Sequence, residues 1–403
     1  MFVSFVIPPN VMSAESAEID DLHWLVREEA AEIFATFPKP ELSLPQLSQL
    51  RRELGPERAT LIAEQLELRQ RGGVKFSRAD EMFFTRVGLE QATDEVLARY
   101  KAQRFAAPQQ IADLCCGVGG DLLALATGRT ATGVDQSPQL ALLAQANCAA
   151  YGQPITSACA DAAAVDLAAY DAWHCDPDRR ATDRRTTQLD SFSPSTEQLV
   201  GMLQKNPNAA IKLAPATHAP EAWLAAAELE WISSRRECRQ LVAWFGDMTP
   251  QPGSRRATHV DRDGVAHSFV ASDETALQVA AEVGAYVMEP GPALLAAELV
   301  DHFAAKHQLG RLLPRSVYLT GDAPLATSLV SQFRVREQMP IDRKSLTKKL
   351  REQGIGRVEL KVRGLDIRPE AFLKKLKLSG DAVATIILTP TASGNRAILC
   401  DRV

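Results

Sequence analysis

The sequence predicts an α/β protein built on a parallel sheet, with helices before it and a mixed α+β unit after it. Three observations carry that prediction. Between residues 108 and 250, short apolar runs ("QIADLCC", "TATGVD", "ITSACAD", "AWHCD", "AAIKLAP") alternate with Ala-rich stretches, the rhythm of strands joined by crossover helices. Residues 20 to about 100 instead carry apolar positions at helical spacing. After residue 250, hairpin signals and amphipathic segments alternate without the βα rhythm.

In the N-terminal part, "LHWLVREEAAEIFATF" reads as helix, and "SLPQLSQLRRELGPERATLIAEQLELRQRGG" as two helices broken at Gly55-Pro56. Ser43 is placed to cap the first of these, with Pro45 in its first turn. "LEWISSR" and "RQLVAWFG" predict an antiparallel edge hairpin at the end of the parallel sheet. Further on, a hairpin is expected to turn at Asp263-Gly264, one helix over "PGPALLAAELVDHFAAKH", and a strand in "SVYLTGD". From residue 331, "SQFRVREQM", "RKSLTKKLREQG", "RVELKVRG", "RPEAFLKKLKL" and "ATIILTPTASGNRAILCDRV" alternate strand and helix and end in a hairpin around Ser393-Gly394-Asn395. The expected divisions are therefore 1–95 (helical), 96–250 (parallel α/β), 251–330 (α+β connection) and 331–403 (basic α+β).

Composition narrows the class. At 403 residues, 46% hydrophobic and 24% charged, the chain has the balance of a soluble multi-domain protein. No apolar run reaches a membrane-spanning length, and "MFVSFVIPPNVM" lacks a basic leader and a cleavage site, so it reads as an extension in a cytoplasmic protein. The seven cysteines include no C-x-x-C pair, so reduced thiols are expected and no metal site. The net charge of −5 conceals an asymmetry, because residues 334–377 hold 14 Lys and Arg against 6 Asp and Glu. A basic end on an acidic body suits a polyanionic partner. Lys344, Lys348, Lys349 and Arg351 recur near helical spacing, as do Lys374, Lys375 and Lys377. Few aromatics lie among them, which favours phosphate contact with structured RNA over stacking on single strands, and DNA and membrane are not expected. The same run also reads as a solvated face.

The candidate ligand site is "IADLCCGVGGDL" (111–122), a strand running into glycines and a helix. Backbone N–H groups at such a junction face a ligand. Leu122 stands where a dinucleotide loop needs its last glycine, and no lysine completes a phosphate loop. Asp113 before the glycines and Asp121 at the helix start repel a pyrophosphate and suit a ligand carrying an ammonium and a sulfonium, which is S-adenosylmethionine. Asp135 ends the second strand, placed to accept from the ribose hydroxyls, and Asp161 ends the third, placed for the adenine amino group. Asp113, Gly117 and Gly119 are expected at the methionine end, with Cys115 and Gly120 in the same loop.

"DLCCGVGGD" resembles the D-x-x-C-G-x-G-G loop of class I S-adenosylmethionine-dependent methyltransferases, in their RNA-modifying branch that includes trimethylguanosine synthases. "KFSRADEMFFTRVGLEQATDEVLARYKAQRF" is similar to the upstream element that closes over the cofactor there. With "YVMEPGPALLAAEL", "FRVREQMP" and "RVELKVRGLDIRPEAFLKKLKL", the whole chain looks most like bacterial methyltransferases with a THUMP-like C-terminal domain. The resemblance implies a Rossmann-like sheet and an RNA-directed appendage.

The resemblance departs at the acceptor motif. Where exocyclic-amine methyltransferases carry [N/D/S]-P-P-[Y/F/W], this chain reads "DPDRR". Asp176 and the Pro177 carbonyl keep the acceptor pair for a target amine, and Arg179 replaces the stacking aromatic. Arg179 and Arg180, with Arg184 and Arg185, are then expected to grip substrate, or to pair within the loop, Asp183 being one partner. Cys175 and His174 read as strand residues. The expected function is methyl transfer to a base nitrogen of a structured RNA. Two alternatives stay open: a non-catalytic cofactor-binding RNA adaptor, and a methyltransferase of an anionic small molecule.

Overall fold

A computed structural model describes residues 15–37, 41–153, 155–178, 192–271, 276–376 and 378–403. The chain forms two compact units, Met1–Leu213 with Trp244–Thr249, and Ala214–Ala243 with Pro250–Val403. None of the described helices is long and apolar enough to cross a membrane.

The first unit begins with six helices: α1 (Glu15–Leu25), α2 (Glu28–Ala35), α3 (Leu44–Leu54), α4 (Pro56–Gly72), α5 (Arg86–Gln91) and α6 (Glu95–Ala102). Ser43 caps α3 through a capping box with Gln46, and Pro45 lies in the first turn, as expected. Gly55, at φ 85°, ends α3 and lets Pro56 open α4. The inward faces of these helices meet in a core around Leu25, Phe34, Leu50, Ile62 and Phe83.

Five parallel strands follow: β1 (Gln110–Leu114), β2 (Thr130–Asp135), β3 (Thr156–Cys159), β4 (Ala172–Cys175) and β5 (Ala209–Leu213). Their order, β3-β2-β1-β4-β5, reverses direction at β1, so the crevice over the strand C-termini there is a topological switch point. Three helices lie between them: α7 (Leu122–Leu125), α8 (Pro138–Ala150) and α9 (Thr196–Lys205). The helix expected between β3 and β4 is replaced by two short turns, Ala162–Ala164 and Leu167–Ala169. Asp161 and Asp166 close them by accepting from the Ala163 and Ala168 N–H groups.

The second unit holds α10 (Glu221–Leu224), β6 (Glu228–Ser234), β7 (Glu237–Trp244), β8 (Arg255–Val260) and β9 (Ala266–Val270). Arg235 and Arg236, both at positive φ, make the tight turn between β6 and β7. This hairpin is not at an edge as expected. β8 pairs parallel to β6, and β9 pairs antiparallel to β8 through the turn at Gly264. Two buried glutamates mark the pairing of β8 with β6. Glu228 and Glu230 are fully buried, and β8 supplies Arg256 to the first at 2.7 Å and the Thr258 hydroxyl to the second at 2.5 Å.

A seven-stranded sheet completes this unit. It uses β10 (Tyr286–Pro290), β11 (Gly310–Arg311), β12 (Leu319–Gly321), β13 (Val330–Pro340), β14 (Ile355–Val362), β15 (Ala382–Thr391) and β16 (Gly394–Arg402), in the order β11-β12-β10-β13-β16-β15-β14. Only β14 and β15 run parallel. The single helix expected over 290–307 is two, α11 (Pro292–Ala296) and α12 (Val300–Lys306), parted where Glu298 takes φ 57°. The remaining helices, α13 (Arg343–Glu352) and α14 (Pro369–Lys374), bury Leu346, Leu350 and Phe372 against the sheet around Ile386 and Leu399.

Candidate active site

The glycine loop leaves β1 in a conformation that only part of its sequence favours. Gly117 and Gly119 take φ 57° and 89°, and Cys115 takes φ 57° without the freedom of glycine. At Gly120 a Cβ would stand 2.8 Å from the Thr93 carbonyl oxygen, so the chain passes too closely there for any side chain. Asn147 of α8 fixes the outer side of the loop, donating to the carbonyls of Val118 and Phe83 and accepting from the Phe83 N–H. The loop borders a cavity of about 290 Å³ over the ends of β1, β2 and β4.

Strand register assembles the polar floor of that cavity. Asp113 on β1 is paired directly with His174 on β4, so their side chains share a face. His174 Nδ1 lies 2.7 Å from Asp113 Oδ1, with both side chains 1% exposed. Asp121 turns inward to Lys101 Nζ at 2.7 Å and accepts from the Thr93 hydroxyl at 2.7 Å. Lys101 Nζ is also 3.5 Å from His174 Nε2. One step along the ladder, Lys212 of β5 donates to Asp176 Oδ2 at 2.5 Å and to Thr93 Oγ1 at 3.0 Å.

The electrostatics differ from group to group. Burial works to raise the Asp121 carboxyl, but the Lys101 ammonium, with His174 and Lys212 behind it, holds it well below the usual carboxylate range. Asp113 is pushed up by burial, which His174 offsets only in part. Its second oxygen, Oδ2, is buried and has no hydrogen-bond partner among the described residues.

The other expected cofactor contacts also gather here. Asp135 Oδ2 accepts from the Gly117 N–H at 3.0 Å and Oδ1 from the Ser137 N–H at 2.9 Å, leaving one lone pair on each oxygen. Asp161 is exposed on the cavity wall, and Cys115 lines it too. From the upstream helices, Gln91, Ala92 and Thr93 form a further wall.

Asp176 and the buried Pro177 stand at the end of β4 in the same cavity. Asp178 and Ser193 exchange N–H···O bonds at 2.9 Å, so the chain leaves the rim and returns to it at one point. Arg179 and Arg180, with Asp183, Arg184 and Arg185, lie outside the described residues. Lys348 and Lys349, the other expected substrate contacts, are on α13 in the second unit. Lys348 is 3.9 Å from Glu352 and Lys349 is 3.0 Å from Glu337.

Sequence reasoning missed Lys101, Lys212 and Thr93, and read His174 only as a strand residue. His174 is indeed buried in β4, but it is also the partner of Asp113. The available signal was a charged or titratable residue inside an apolar run, Lys212 in "AAIKLAP" and His174 in "AWHC", because central parallel strands are otherwise apolar. Cys175 is fully buried and burial pushes its thiol well up, in keeping with packing.

Residues 330–402 match the THUMP domain-like family. The chain is 28% identical over 357 residues to an uncharacterized S-adenosylmethionine-dependent methyltransferase of Mycobacterium tuberculosis, matched in two strains, covering 84% of this chain and 95% of that one. The crystal structure of a candidate methyltransferase from Porphyromonas gingivalis superposes with a TM-score of 0.73 at 20% identity, over 97% of this chain and 99% of that one. The chain is thus a homologue of mycobacterial proteins described as S-adenosylmethionine-dependent methyltransferases, it shares the fold of the Porphyromonas structure, and its C-terminal residues match the THUMP domain-like family.

Proposed function

We propose that the protein methylates a base nitrogen in a structured RNA. The observation that carries this reading is the placement of Asp113 on β1 and of Asp176 just past the end of the adjacent β4, both lining a single cavity. The buried Asp113 Oδ2 lacks a partner, and an ammonium is the group that would satisfy it. Asp135 keeps a free lone pair on each oxygen for two ribose hydroxyls, and Asp161 is open to the adenine amino group. These residues therefore fit S-adenosylmethionine, with Gly117, Gly119, Gly120 and Cys115 shaping the loop around its methionine end. When bound, that cofactor supplies a methyl group already activated by a positively charged sulfur.

On the acceptor side, Asp176 and the Pro177 carbonyl accept from a target N–H and aim its lone pair at the cavity. Positioning and charge complementarity are the protein's contribution. Arg179 and Arg180 grip the substrate, and the basic C-terminal unit, Lys348 and Lys349 included, contacts RNA phosphates. The THUMP-like match supports RNA as the partner.

The test is incorporation of radiolabelled methyl groups into total RNA from cells lacking the protein. Asp176→Ala is expected to abolish transfer while S-adenosylhomocysteine affinity stays within about threefold of wild type, since Asp176 touches the acceptor and not the donor. Transfer that survives the substitution would remove Asp176 from the reaction. The existing Asp176–Lys212 pair favours one rival, a cofactor-binding RNA adaptor whose acceptor carboxylate is already engaged. That adaptor would bind RNA and give no incorporation.

A further inference from the structure

We infer that Lys212 is the positioning residue of the acceptor carboxylate, and that it ties Asp176 to the same hydrogen-bonded array that holds the cofactor-side Asp113. This rests on the methyltransferase reading above. Starting at the acceptor, Asp176 Oδ2 receives the Lys212 ammonium at 2.5 Å. The same ammonium donates to Thr93 Oγ1 at 3.0 Å, and Thr93 donates to Asp121 Oδ2 at 2.7 Å. Asp121 Oδ1 is paired with Lys101 at 2.7 Å, Lys101 lies 3.5 Å from His174 Nε2, and His174 Nδ1 meets Asp113 Oδ1 at 2.7 Å.

Three features argue that Lys212 orients Asp176 and does not merely fill space. Its side chain is 10% exposed, whereas Asp176 is 29% exposed, so the lysine is the fixed partner and the carboxylate faces the cavity. A lysine on a strand that is otherwise buried is costly unless a partner is required there. Finally, the Lys212 ammonium meets Asp176 at Oδ2, and Asp176 lines the cavity in which an incoming N–H would arrive. In the related acceptor motif a second proline restricts the backbone of this corner; here that position is Asp178. A charged tether from the neighbouring strand holds the corner in its place.

Two arms test this, and only one needs an active enzyme. In full-length protein labelled with ¹³C at lysine Cε, the Lys212 signal is assigned by its loss in Lys212→Arg. Asp176→Asn is expected to lower the Lys212 titration midpoint by about one unit or more, as a nearly buried ammonium loses its counter-charge. An unchanged midpoint would overturn the assignment. In the second arm, Lys212→Met should lower kcat for methyl transfer by about a hundredfold while KM for RNA and S-adenosylhomocysteine affinity move less than about threefold. Lys212→Arg should restore part of kcat, and adding Lys212→Met to Asp176→Ala should cost little more of the residual transfer, because the group being positioned is already gone. Multiplicative losses in the double variant, or a loss confined to cofactor affinity, would show a structural role only and overturn the proposal. If the wild type transfers no methyl group at all, the functional reading fails, and the titration alone decides whether Lys212 holds Asp176.

Discussion

The strand ends of the first unit and the C-terminal sheet of the second are both rich in paired charges, but they place them in different surroundings. Lys101 and Asp121 meet at 2.7 Å with side chains 2% and 9% exposed. Lys348 and Glu352 stand 3.9 Å apart with side chains 80% and 53% exposed. The chemistry is the same and the energetics are not. An exposed pair gains little over two hydrated ions, while a buried one has surrendered its hydration and depends on its partner. The charges beneath the glycine loop are therefore fixed in direction and suited to aiming a reaction. Those on α13 stay hydrated and exchangeable, which suits contact with a phosphate backbone of variable shape.

The sharpest way to break this contrast is to remove one member from each group. Asp121→Ala leaves Lys101 buried without its carboxylate and is expected to cost about 3–5 kcal/mol in denaturant unfolding. A loss below about 1 kcal/mol would place the pair in the exposed class. Next in size, Asp135→Ala should weaken S-adenosylhomocysteine binding by about 1.5–3 kcal/mol in calorimetry, with unfolding followed separately because Gly117 and Ser137 also lose an acceptor. The smallest effect on the fold is expected on α13, where reversing Lys348 and Lys349 to Glu should change stability by no more than about 1 kcal/mol. That variant should nonetheless bind RNA more weakly and with a shallower salt dependence. Unchanged RNA affinity across a salt series would make α13 a solvated face and nothing more.

The two regions also differ in how well the sequence reveals them. The glycine loop, Asp135 and Asp161 are legible because each occupies a local position, a strand end or a turn, that spacing alone identifies. So are the Ser43 cap and the Gly264 turn, whose conformations are set by neighbouring residues. The array below the loop was hidden because it depends on register. Asp113 and His174 are 61 residues apart and meet only because β1 and β4 pair in one alignment. The same limit applies to Glu228 and Glu230, whose partners arrive from β8 after a long connection. The break between α11 and α12 was missed for a different reason: Glu298 adopts a positive φ, which no residue type at that position announces.

On the cofactor reading proposed above, the unpartnered Asp113 oxygen also makes the pocket a discriminator among adenosine compounds. A cell holds many molecules with the same base and sugar, and Asp135 and Asp161 alone would accept them all. A nucleotide brings phosphates toward a wall of carboxylates. A neutral adenosine thioether without an amino group repels nothing, yet it forgoes the hydrogen bond that Asp113 Oδ2 lacks, worth about 1–3 kcal/mol to a ligand that supplies it. A ligand with an amino group at its far end meets no such repulsion and makes that bond. On this reading, selectivity among abundant metabolites comes from a single oxygen that the fold leaves without a partner of its own.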